Sequence, residues 1–357
     1  MATPALRLLR RGLPGAFIGG LVRPGLDDLL AGTTFFDELH VDRARGVMGP
    51  KLVASKIRPR QYDTALLLTN SFSTALITRL AFIPRRIGYD RDGRWLLLTD
   101  RLKPEKTGVL GSGGFAVVSA VDYYLRAAQA VLDGRESGSL PPAGGPIRLE
   151  LAATPAQDAA AAEVLQRCGI TPGERYAVLN PGGNNPAKRW PADRFAQVGA
   201  VLVRDYGLRV LVNGSPLEAE LCARIVQEIG AATLQEPGPR AHSLPAAGIT
   251  LGALKGVVRG AALMLTNDTG PRHIAAAFGV PTICLFGPTD PRWTTLPPGA
   301  APMVEVVSNP ALPPAKVADD HPEECRIERI EVGTVLESIG RAQNAGLMEP
   351  RSARSSS

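Results

Sequence analysis

Short runs of apolar residues alternate with amphipathic segments along this chain, most regularly beyond residue 155. A short, continuously apolar run between turn-forming residues is typical of a buried parallel strand, and apolar residues spaced three and four apart predict a helix. The apolar runs predict strands at residues 176–180, 208–213, 262–266 and 281–286. The amphipathic segments predict helices at residues 157–168, 191–206, 216–229, 251–261, 271–278 and 331–345. Such an alternation predicts an α/β fold with a doubly wound parallel sheet.

The N-terminal half shows the same two patterns less regularly. Strands are predicted at residues 16–22 and 63–68, and helices at residues 2–11, 71–80 and 121–132. A stretch rich in Gly, Pro and Ser at residues 134–146 has the composition of a flexible linker. We therefore expect two domains, at residues 1–150 and 151–345, followed by a disordered tail at residues 346–357.

The composition is compatible with two domains that have apolar cores. The chain has 357 residues, of which 45% are hydrophobic, and its mean hydropathy is +0.02. No apolar run approaches the roughly 18 residues that a membrane-spanning helix needs. The four cysteines show no C-x-x-C spacing, so we expect reduced thiols in a cytoplasmic protein and no structural zinc site.

Positive charge is concentrated in the N-terminal part of the chain. The net charge is +6, and residues 1–106 contain 18 Lys and Arg against 10 Asp and Glu. A basic surface favours a negatively charged partner, for which nucleic acid and a phosphorylated lipid headgroup are the candidates. An arginine-rich composition without a partner is the remaining alternative.

Polar, glycine-containing turns follow three of the predicted strands. These turns are Asn180–Gly183, Asn213–Ser215 and Asn267–Gly270. Ligands of open α/β sheets bind at the carboxyl ends of the strands, and glycine lets the backbone approach a ligand closely. Three such turns at one edge of a sheet predict a crevice for a nucleotide.

The segment after the third turn has the features of a helix start. Pro271 suits the first turn of a helix, where its missing N–H costs nothing, and Asp268 or Thr269 could cap that helix. Free N–H groups at such a start, beside Arg272 and His273, suit a phosphate or a diphosphate. An ordinary βαβ unit with a capped helix and no ligand is the alternative.

Two motifs in the C-terminal half resemble those of a known family. Residues 267–291, NDTGPRHIAAAFGVPTICLFGPTDP, and residues 180–191, NPGGNNPAKRWP, are similar to the motifs of glycosyltransferase family 9, the ADP-heptose:lipopolysaccharide heptosyltransferases, and in particular to heptosyltransferase II-like members. The resemblance implies a GT-B fold, in which two Rossmann-like doubly wound domains face each other across a cleft. It also implies inverting transfer of a heptose from ADP-heptose to an acceptor in the lipopolysaccharide core.

The resemblance also assigns roles to residues of the crevice. Lys188 aligns with the family lysine that contacts the donor diphosphate, and Asn184 stands where a Ser or Thr is common. His273 is expected near the diphosphate, and Glu218 either accepts hydrogen bonds from a ribose or only favours the start of its own helix. The expected donor-binding residues are Asn180, Gly183, Asn184, Lys188, Gly214, Ser215, Glu218, Asp268, Thr269, Gly270 and His273.

The expected partners are a nucleotide-sugar donor, with ADP-heptose favoured, and an anionic lipopolysaccharide core bound by the basic N-terminal domain. Peripheral contact with the inner face of the cytoplasmic membrane stays open. Nucleic acid is not expected, because the basic half lacks interleaved aromatic residues. No cofactor is expected, since the glycines of residues 107–116 lack G-x-G-x-x-G spacing. No metal is expected either, because Lys188 and a helix N-terminus replace an acidic D-x-D cluster.

Residues 1–21 resemble the first helix and second strand of the family. Family members begin with a further strand and a Gly-Asp turn, whose aspartate is the expected general base. The N-terminal domain is thus expected to lack its first strand, and the catalytic residue is unknown, its expected position lying upstream of Met1. A misplaced start codon is one explanation, and a catalytically impaired relative that binds nucleotide sugar is the other. Nearby acidic residues have no motif support: Asp27, Asp28, Asp37 and Glu38.

Overall fold

The computed structural model describes residues 1–106, 115–133, 147–297, 302–312 and 323–348. It divides into two compact units. The N-terminal unit comprises Met1–Leu149 and Arg292–Pro298, and the C-terminal unit comprises Glu150–Pro291 and Gly299–Ser357. Three segments lie outside the described residues: the predicted linker at 134–146, residues 107–114 of the glycine-containing segment 107–116, and the tail beyond residue 348.

The N-terminal unit contains short parallel strands with helices between them. Its elements are α1 (Thr3–Gly12), β1 (Gly19–Val22), α2 (Leu26–Leu30), β2 (Glu38–Val41), α3 (Gly49–Ile57), β3 (Thr64–Leu67), α4 (Phe72–Leu80), β4 (Arg85–Tyr89), β5 (Asp100–Leu102) and α5 (Ala120–Leu132). The described strands form two parallel sheets, β1–β2 and β3–β4–β5. Strands β2, β4 and β5 and helices α2 and α3 were not predicted. The three strands are short and carry charges, α2 has only five residues, and α3 begins with a Gly-Pro pair that is typical of turns.

Packed pairs of helices contribute to the apolar cores of this unit. Helix α1 packs on α5, and α3 packs on α4. In the second pair, Val53, Ala54 and Ile57 of α3 are buried with Ile77 of α4. These residues recur at three- and four-residue spacing, so one face of α3 is committed to the core and the opposite face is left to the surface.

The described part of the C-terminal unit has one parallel sheet of six strands. The strands are β6 (Tyr176–Asn180), β7 (Arg209–Val212), β8 (Ala241–Ser243), β9 (Leu263–Asn267), β10 (Thr282–Phe286) and β11 (Met303–Val307). Their order is β11-β10-β9-β6-β7-β8, and these neighbouring strands all pair in parallel. The chain therefore winds outward in both directions from β6 and β9. The predicted doubly wound sheet is confirmed, and its topological switch point lies between these two strands.

Among the residues that the structure describes, six α-helices accompany this sheet. They are α6 (Pro155–Arg167), α7 (Ala192–Arg204), α8 (Ala219–Ala232), α9 (Leu251–Arg259), α10 (Gly270–Phe278) and α11 (Val332–Asn344). Helices α7, α8 and α11 contribute apolar residues to the main core, while α6 packs on α9 and α9 on α10. Strands β6, β9 and β10 are buried at every position, which explains why their sequences are mostly apolar and why their polar residues stand at the strand ends.

Two predictions for this unit need correction. The predicted helix at 216–229 is a 3₁₀ turn, Pro216–Glu218, followed by α8. Met348, placed in the predicted tail, is buried in the main core, and its carbonyl accepts a hydrogen bond from Arg175 at 3.1 Å. The apolar pair Leu347–Met348 covers the core, so the ordered chain continues past α11. Among the described residues, no helix has the length and apolar character needed to cross a membrane.

Candidate functional site

Side-chain hydrogen bonds join the ends of three strands at the carboxyl edge of the C-terminal sheet. Asn180, at the end of β6, donates from Nδ2 to the hydroxyls of Thr269 at 3.0 Å and Thr266 at 3.2 Å. Asn213, which follows β7, donates to the Asn180 side-chain oxygen at 2.6 Å. The three turns predicted to form a crevice therefore meet at the switch point between β6 and β9.

A charged cluster lies beside these turns. Lys188 ends the 3₁₀ turn Pro186–Lys188, and its Nζ is 3.1 Å from Oδ2 of Asp268. The other carboxylate oxygen of Asp268 accepts a hydrogen bond from Arg272 Nη1 at 2.6 Å. Asp268 and Arg272 are buried, whereas the Lys188 side chain is partly exposed. Of the three charged groups, Lys188 is therefore the one that an incoming ligand can reach.

Arg272 points into the protein and away from the predicted anion site. Its guanidinium lies 5.0 Å from the ring centre of Phe286, and Nη2 is 4.0 Å from Oε1 of Glu305 on β11. Burial raises the pKa of Glu305, and the positive charge of Arg272 opposes that shift. The prediction that Arg272 lies beside the anion site was thus wrong, because the carboxylates of Asp268 and Glu305 hold its guanidinium in the protein interior.

The Thr269 side chain does not cap the start of α10. Helix α10 begins at Gly270, and its N-cap residue, Thr269, makes no side-chain hydrogen bond to the helix start. The Thr269 hydroxyl instead accepts from Asn180 and donates to the Asn267 carbonyl at 3.3 Å. A helix start that the N-cap side chain leaves open suits an anionic ligand.

His273 is a neutral imidazole at this helix start. Burial lowers its pKa well below the ordinary range, so it carries no positive charge at neutral pH. Its Nδ1 is buried and has no hydrogen-bond partner among the described residues. His273 can therefore offer a hydrogen bond to a ligand oxygen, but it cannot supply charge for a diphosphate.

Glu218 connects two of the turns. Its Oε1 accepts from the Gly183 N–H at 2.8 Å, and its Oε2 accepts from both the N–H and the hydroxyl of Ser215 at 2.8 Å. Burial opposes ionisation of Glu218, but the hydrogen bonds from Ser215 and Gly183 outweigh it and keep its pKa below the usual range. A Cβ atom at Gly182 would overlap this carboxylate, so any side chain there would displace Glu218 from its hydrogen bonds. A contact between Glu218 and a ribose stays a prediction.

The remaining predicted residues also lie at this edge. A Cβ atom at Gly214 would sit 2.6 Å from Sγ of Cys222, so Gly214 gives the turn its close approach to α8. Asn184 is exposed, two residues beyond the buried Gly182. All predicted donor-binding residues thus belong to the three turns or the segments that follow them, and their contact with a donor stays a prediction.

Two residues missed by the sequence analysis support the same turns. Asn267 donates to the Pro181 carbonyl at 2.7 Å, and its side-chain oxygen accepts from the Trp190 N–H at 3.3 Å. Arg189 donates from Nε to the Gly183 carbonyl at 2.7 Å. Asparagine at the end of both β6 and β9 was the available signal for Asn267, because a polar side chain in a buried run needs a partner.

The acidic residues after β1 are engaged in structural contacts. Asp37 accepts hydrogen bonds from the Ile18 N–H and from Arg10, both at 2.7 Å, and these bonds hold its pKa below the usual range. Glu38 pairs with Arg60 at 2.7 Å, and Asp27 accepts from the Gly25 N–H at 2.7 Å. None of these contacts identifies a general base. The described residues also contain no group of three or more side chains that could hold a metal ion.

Comparison with known proteins places this site in context. The family model described as glycosyltransferase family 9 (heptosyltransferase) matches residues 52–325. Lipooligosaccharide heptosyltransferase 2 of Haemophilus influenzae is 28% identical over 256 residues, covering 69% of this chain and 66% of that protein. Lipopolysaccharide heptosyltransferase 2 of Escherichia coli K12 is 30% identical over 243 residues, covering 67% and 63%. The matched region thus spans slightly less than two thirds of these curated relatives.

Solved structures show the same fold. A family 9 glycosyltransferase from Veillonella parvula superposes with a TM-score of 0.74 and 21% identity, covering 97% of this chain and 92% of that chain. The ADP-heptose lipopolysaccharide heptosyltransferase II of E. coli superposes with a TM-score of 0.71 and 22% identity, covering 97% and 94%. The predicted GT-B class of fold, with two Rossmann-like α/β units, is therefore confirmed.

Proposed function

The chain belongs to glycosyltransferase family 9, and from this premise we propose that it is an inverting glycosyltransferase that moves a heptose from ADP-heptose to a lipopolysaccharide core. The observation that carries the proposal is the pairing of Lys188 with Asp268 at the switch point of the C-terminal sheet. The heptosyltransferase names of the relatives support the choice of sugar and acceptor.

Lys188 and the start of α10 would hold the donor diphosphate. Lys188 is partly exposed, so its ammonium can move from Asp268 to a phosphate oxygen, while Asp268 keeps its bond to the buried Arg272. The Gly270 N–H would bind a further phosphate oxygen, as helix starts do. His273 would add a hydrogen bond from a neutral ring.

The same groups would assist departure of ADP. In inverting transfer, an acceptor hydroxyl attacks the anomeric carbon from the side opposite the nucleotide, the bond to the diphosphate breaks, and a base takes the hydroxyl proton. Negative charge then grows on the leaving diphosphate, where Lys188 stabilises it. We assign no residue as the base.

The basic N-terminal unit would bind the anionic acceptor. Its excess of Lys and Arg favours phosphate groups of a lipopolysaccharide core over a neutral sugar. We propose a cytoplasmic location, and because such an acceptor is anchored in lipid, the enzyme would work at the inner face of the cytoplasmic membrane.

Nucleotide-sugar binding without transfer is the second candidate function. It is favoured by the structural contacts of Asp27, Asp37 and Glu38, which leave no described carboxylate after β1 identified as a base. Release of ADP from ADP-heptose only when a lipopolysaccharide core acceptor is added would exclude this second function.

Calorimetric titration of the chain with ADP, UDP, GDP and NAD tests the donor site. We expect ADP to bind most tightly, and Lys188→Ala to weaken it at least about tenfold, because a hydrogen bond to a charged group is lost. The matched control is Arg204→Ala, since Arg204 ends α7 at the opposite edge of the sheet. Equal binding of all four ligands, or equal losses in both variants, would contradict the proposal.

A further inference from the structure

The outer face of α3 and the loop before it expose apolar side chains. Val47 is 97% exposed, Met48 56% and Leu52 53%. Met48 and Leu52 are four residues apart and so lie on the same side of the helix. The opposite side of α3, with Val53 and Ile57, is already buried against α4. The exposed residues are therefore not needed for the core.

Positive charge surrounds these apolar residues. Between Asp42 and Asp63 the chain carries six Lys and Arg and no Asp or Glu. Lys51 and Lys56 are exposed on the outer side of α3. An uninterrupted basic segment of this kind attracts negatively charged surfaces, and the attraction is strongest at low salt.

Phe82 extends the same surface beyond the end of α3. The guanidinium of Arg58 lies 4.5 Å from the ring centre of Phe82, and Arg58 also donates to the Leu80 carbonyl at 2.7 Å. Phe82 is 66% exposed and has φ 62°, in the left-handed region. A bulky residue in that region is strained, and glycine is the usual choice after a helix. An exposed aromatic ring is thus kept at an unfavourable backbone position.

We propose that this face, which we call the α3 surface (Val47, Met48, Lys51, Leu52, Lys56, Arg58 and Phe82), docks on a membrane rich in anionic phospholipid. The apolar side chains reach the boundary between headgroups and acyl chains, and the cations meet lipid phosphates. Nucleic acid would satisfy the cations but would offer no apolar medium to Val47, Met48 and Leu52.

This docking rests on the proposed function, which places the enzyme at the cytoplasmic membrane, and adds to it the surface that binds and the class of lipid that is bound. Its evidence lies in the exposure and charge of the α3 surface and not in the crevice. The test below contains no sugar donor or acceptor. A chain that transfers no heptose can still dock, and one that does not dock can still bind ADP, so the two failures are distinguishable.

Co-sedimentation of the full chain with lipid vesicles tests the proposal. We expect binding to phosphatidylcholine vesicles that contain phosphatidylglycerol, no binding to phosphatidylcholine alone, and release as salt is raised. The combined variant Val47→Ser, Met48→Ser and Leu52→Ser should lower the bound fraction at least about fivefold, because the apolar contacts are lost. The control variant, Leu217→Ser with Leu234→Ser, changes exposed leucines of the C-terminal unit and should bind like the unmodified chain.

A second pair of variants isolates the charge. Lys51→Ala with Lys56→Ala should weaken vesicle binding, whereas Arg204→Ala with Arg329→Ala, at exposed positions of the C-terminal unit, should not. Thermal unfolding of each variant shows whether it is folded. Absence of binding to anionic vesicles, or equal losses in the controls, would overturn the proposal. Retention on duplex DNA that the same variants abolish, without vesicle binding, would assign the surface to nucleic acid instead.

Discussion

Lys188 and Asp268 are 80 residues apart in the chain, and the Lys188 ammonium lies 3.1 Å from the Asp268 carboxylate. The two residues follow β6 and β9, the strands on either side of the switch point. Asp268 is bound at the same time by the buried Arg272. Of these two cations, Arg272 is buried with the carboxylate and Lys188 is partly exposed, so we propose that a ligand phosphate draws Lys188 away while Asp268 keeps Arg272.

The two partners of Asp268 should differ in their effect on stability. We expect Asp268→Asn to lower the free energy of unfolding by about 3 kcal/mol, because it removes the nearest counter-charge of a buried arginine. Lys188→Ala should lower it by less than about 1 kcal/mol, since Lys188 is partly exposed and Asp268 keeps Arg272. Urea unfolding followed by circular dichroism measures both. Similar losses in the two variants would show that Arg272 does not anchor the carboxylate.

Gly182→Ala should disturb the contact between the first two turns. The new Cβ atom overlaps the Glu218 carboxylate, which must move and release the N–H groups of Gly183 and Ser215. We expect a loss of about 1–3 kcal/mol in unfolding free energy and weaker ADP binding. The control is Gly230→Ala within α8, where a Cβ atom meets nothing within 4 Å and should stabilise the helix by up to about 1 kcal/mol.

Glu218 should make the folded state sensitive to acid. Its pKa is lower in the folded chain than the ordinary value of 4.5, so its stabilising effect is present above that pH and is lost as the pH falls through the folded pKa. Glu218→Gln should therefore show a smaller loss of stability on acidification than the unmodified chain. Thermal melting over a pH series measures this loss. Glu220→Gln, in the first turn of α8, serves as the control and should follow the unmodified chain.

ADP binding should not depend on a positive charge at His273. Because burial lowers the pKa of His273 well below its ordinary value, the ring is already neutral from about pH 6 to about pH 8. We expect the affinity for ADP to change less than about twofold over this interval, once the ionisation of the phosphate, measured on free ADP, is taken into account. A steep loss of affinity with rising pH that disappears in His273→Gln would contradict the neutral ring.

His273 should instead contribute to the pH dependence of unfolding. The unfolded chain takes up a proton near the ordinary histidine pKa of about 6.5, whereas the folded chain does not. Stability is therefore expected to fall as the pH drops below about 6.5, by at most about 1.4 kcal/mol per pH unit for one such group. His273→Gln should flatten this part of the curve. An unchanged slope would place the protonating group elsewhere.

Several elements of the C-terminal unit were predictable because local pattern and tertiary environment agree there. Strand β6 has the predicted bounds, Tyr176–Asn180, since both of its faces are buried and its residues are therefore apolar up to Asn180, where the turn begins. The helix start near Pro271 and the stop at Gly279, which has φ 67°, follow from backbone preferences of single residues. The prediction that three polar turns meet required only that parallel strands share one carboxyl edge.

Other elements could not be recognised locally. Strand β2, Glu38–Val41, is only partly buried along its length and has no apolar run, so its pairing with β1 supplies the evidence that its own residues lack. Helix α3 begins at a Gly-Pro pair that locally predicts a turn, and α4 provides the packing that stabilises it. Propensity is a weak guide where tertiary contacts of this kind decide the conformation.

By itself, the sequence determined the central strands and the flanking helices of the C-terminal unit, the edge at which the polar turns meet, and the family to which its motifs belong, but it did not predict the outer strands β8 and β11. Only the tertiary structure decided what each polar side chain does there: that Arg272 turns inward to Asp268, that Glu218 binds two backbone turns, and that His273 is neutral. The physical reason is the separation along the chain over which each effect acts. Apolar patterning and turn preferences act over a few neighbouring residues, whereas burial, charge pairing and hydrogen bonding depend on groups that only folding brings together.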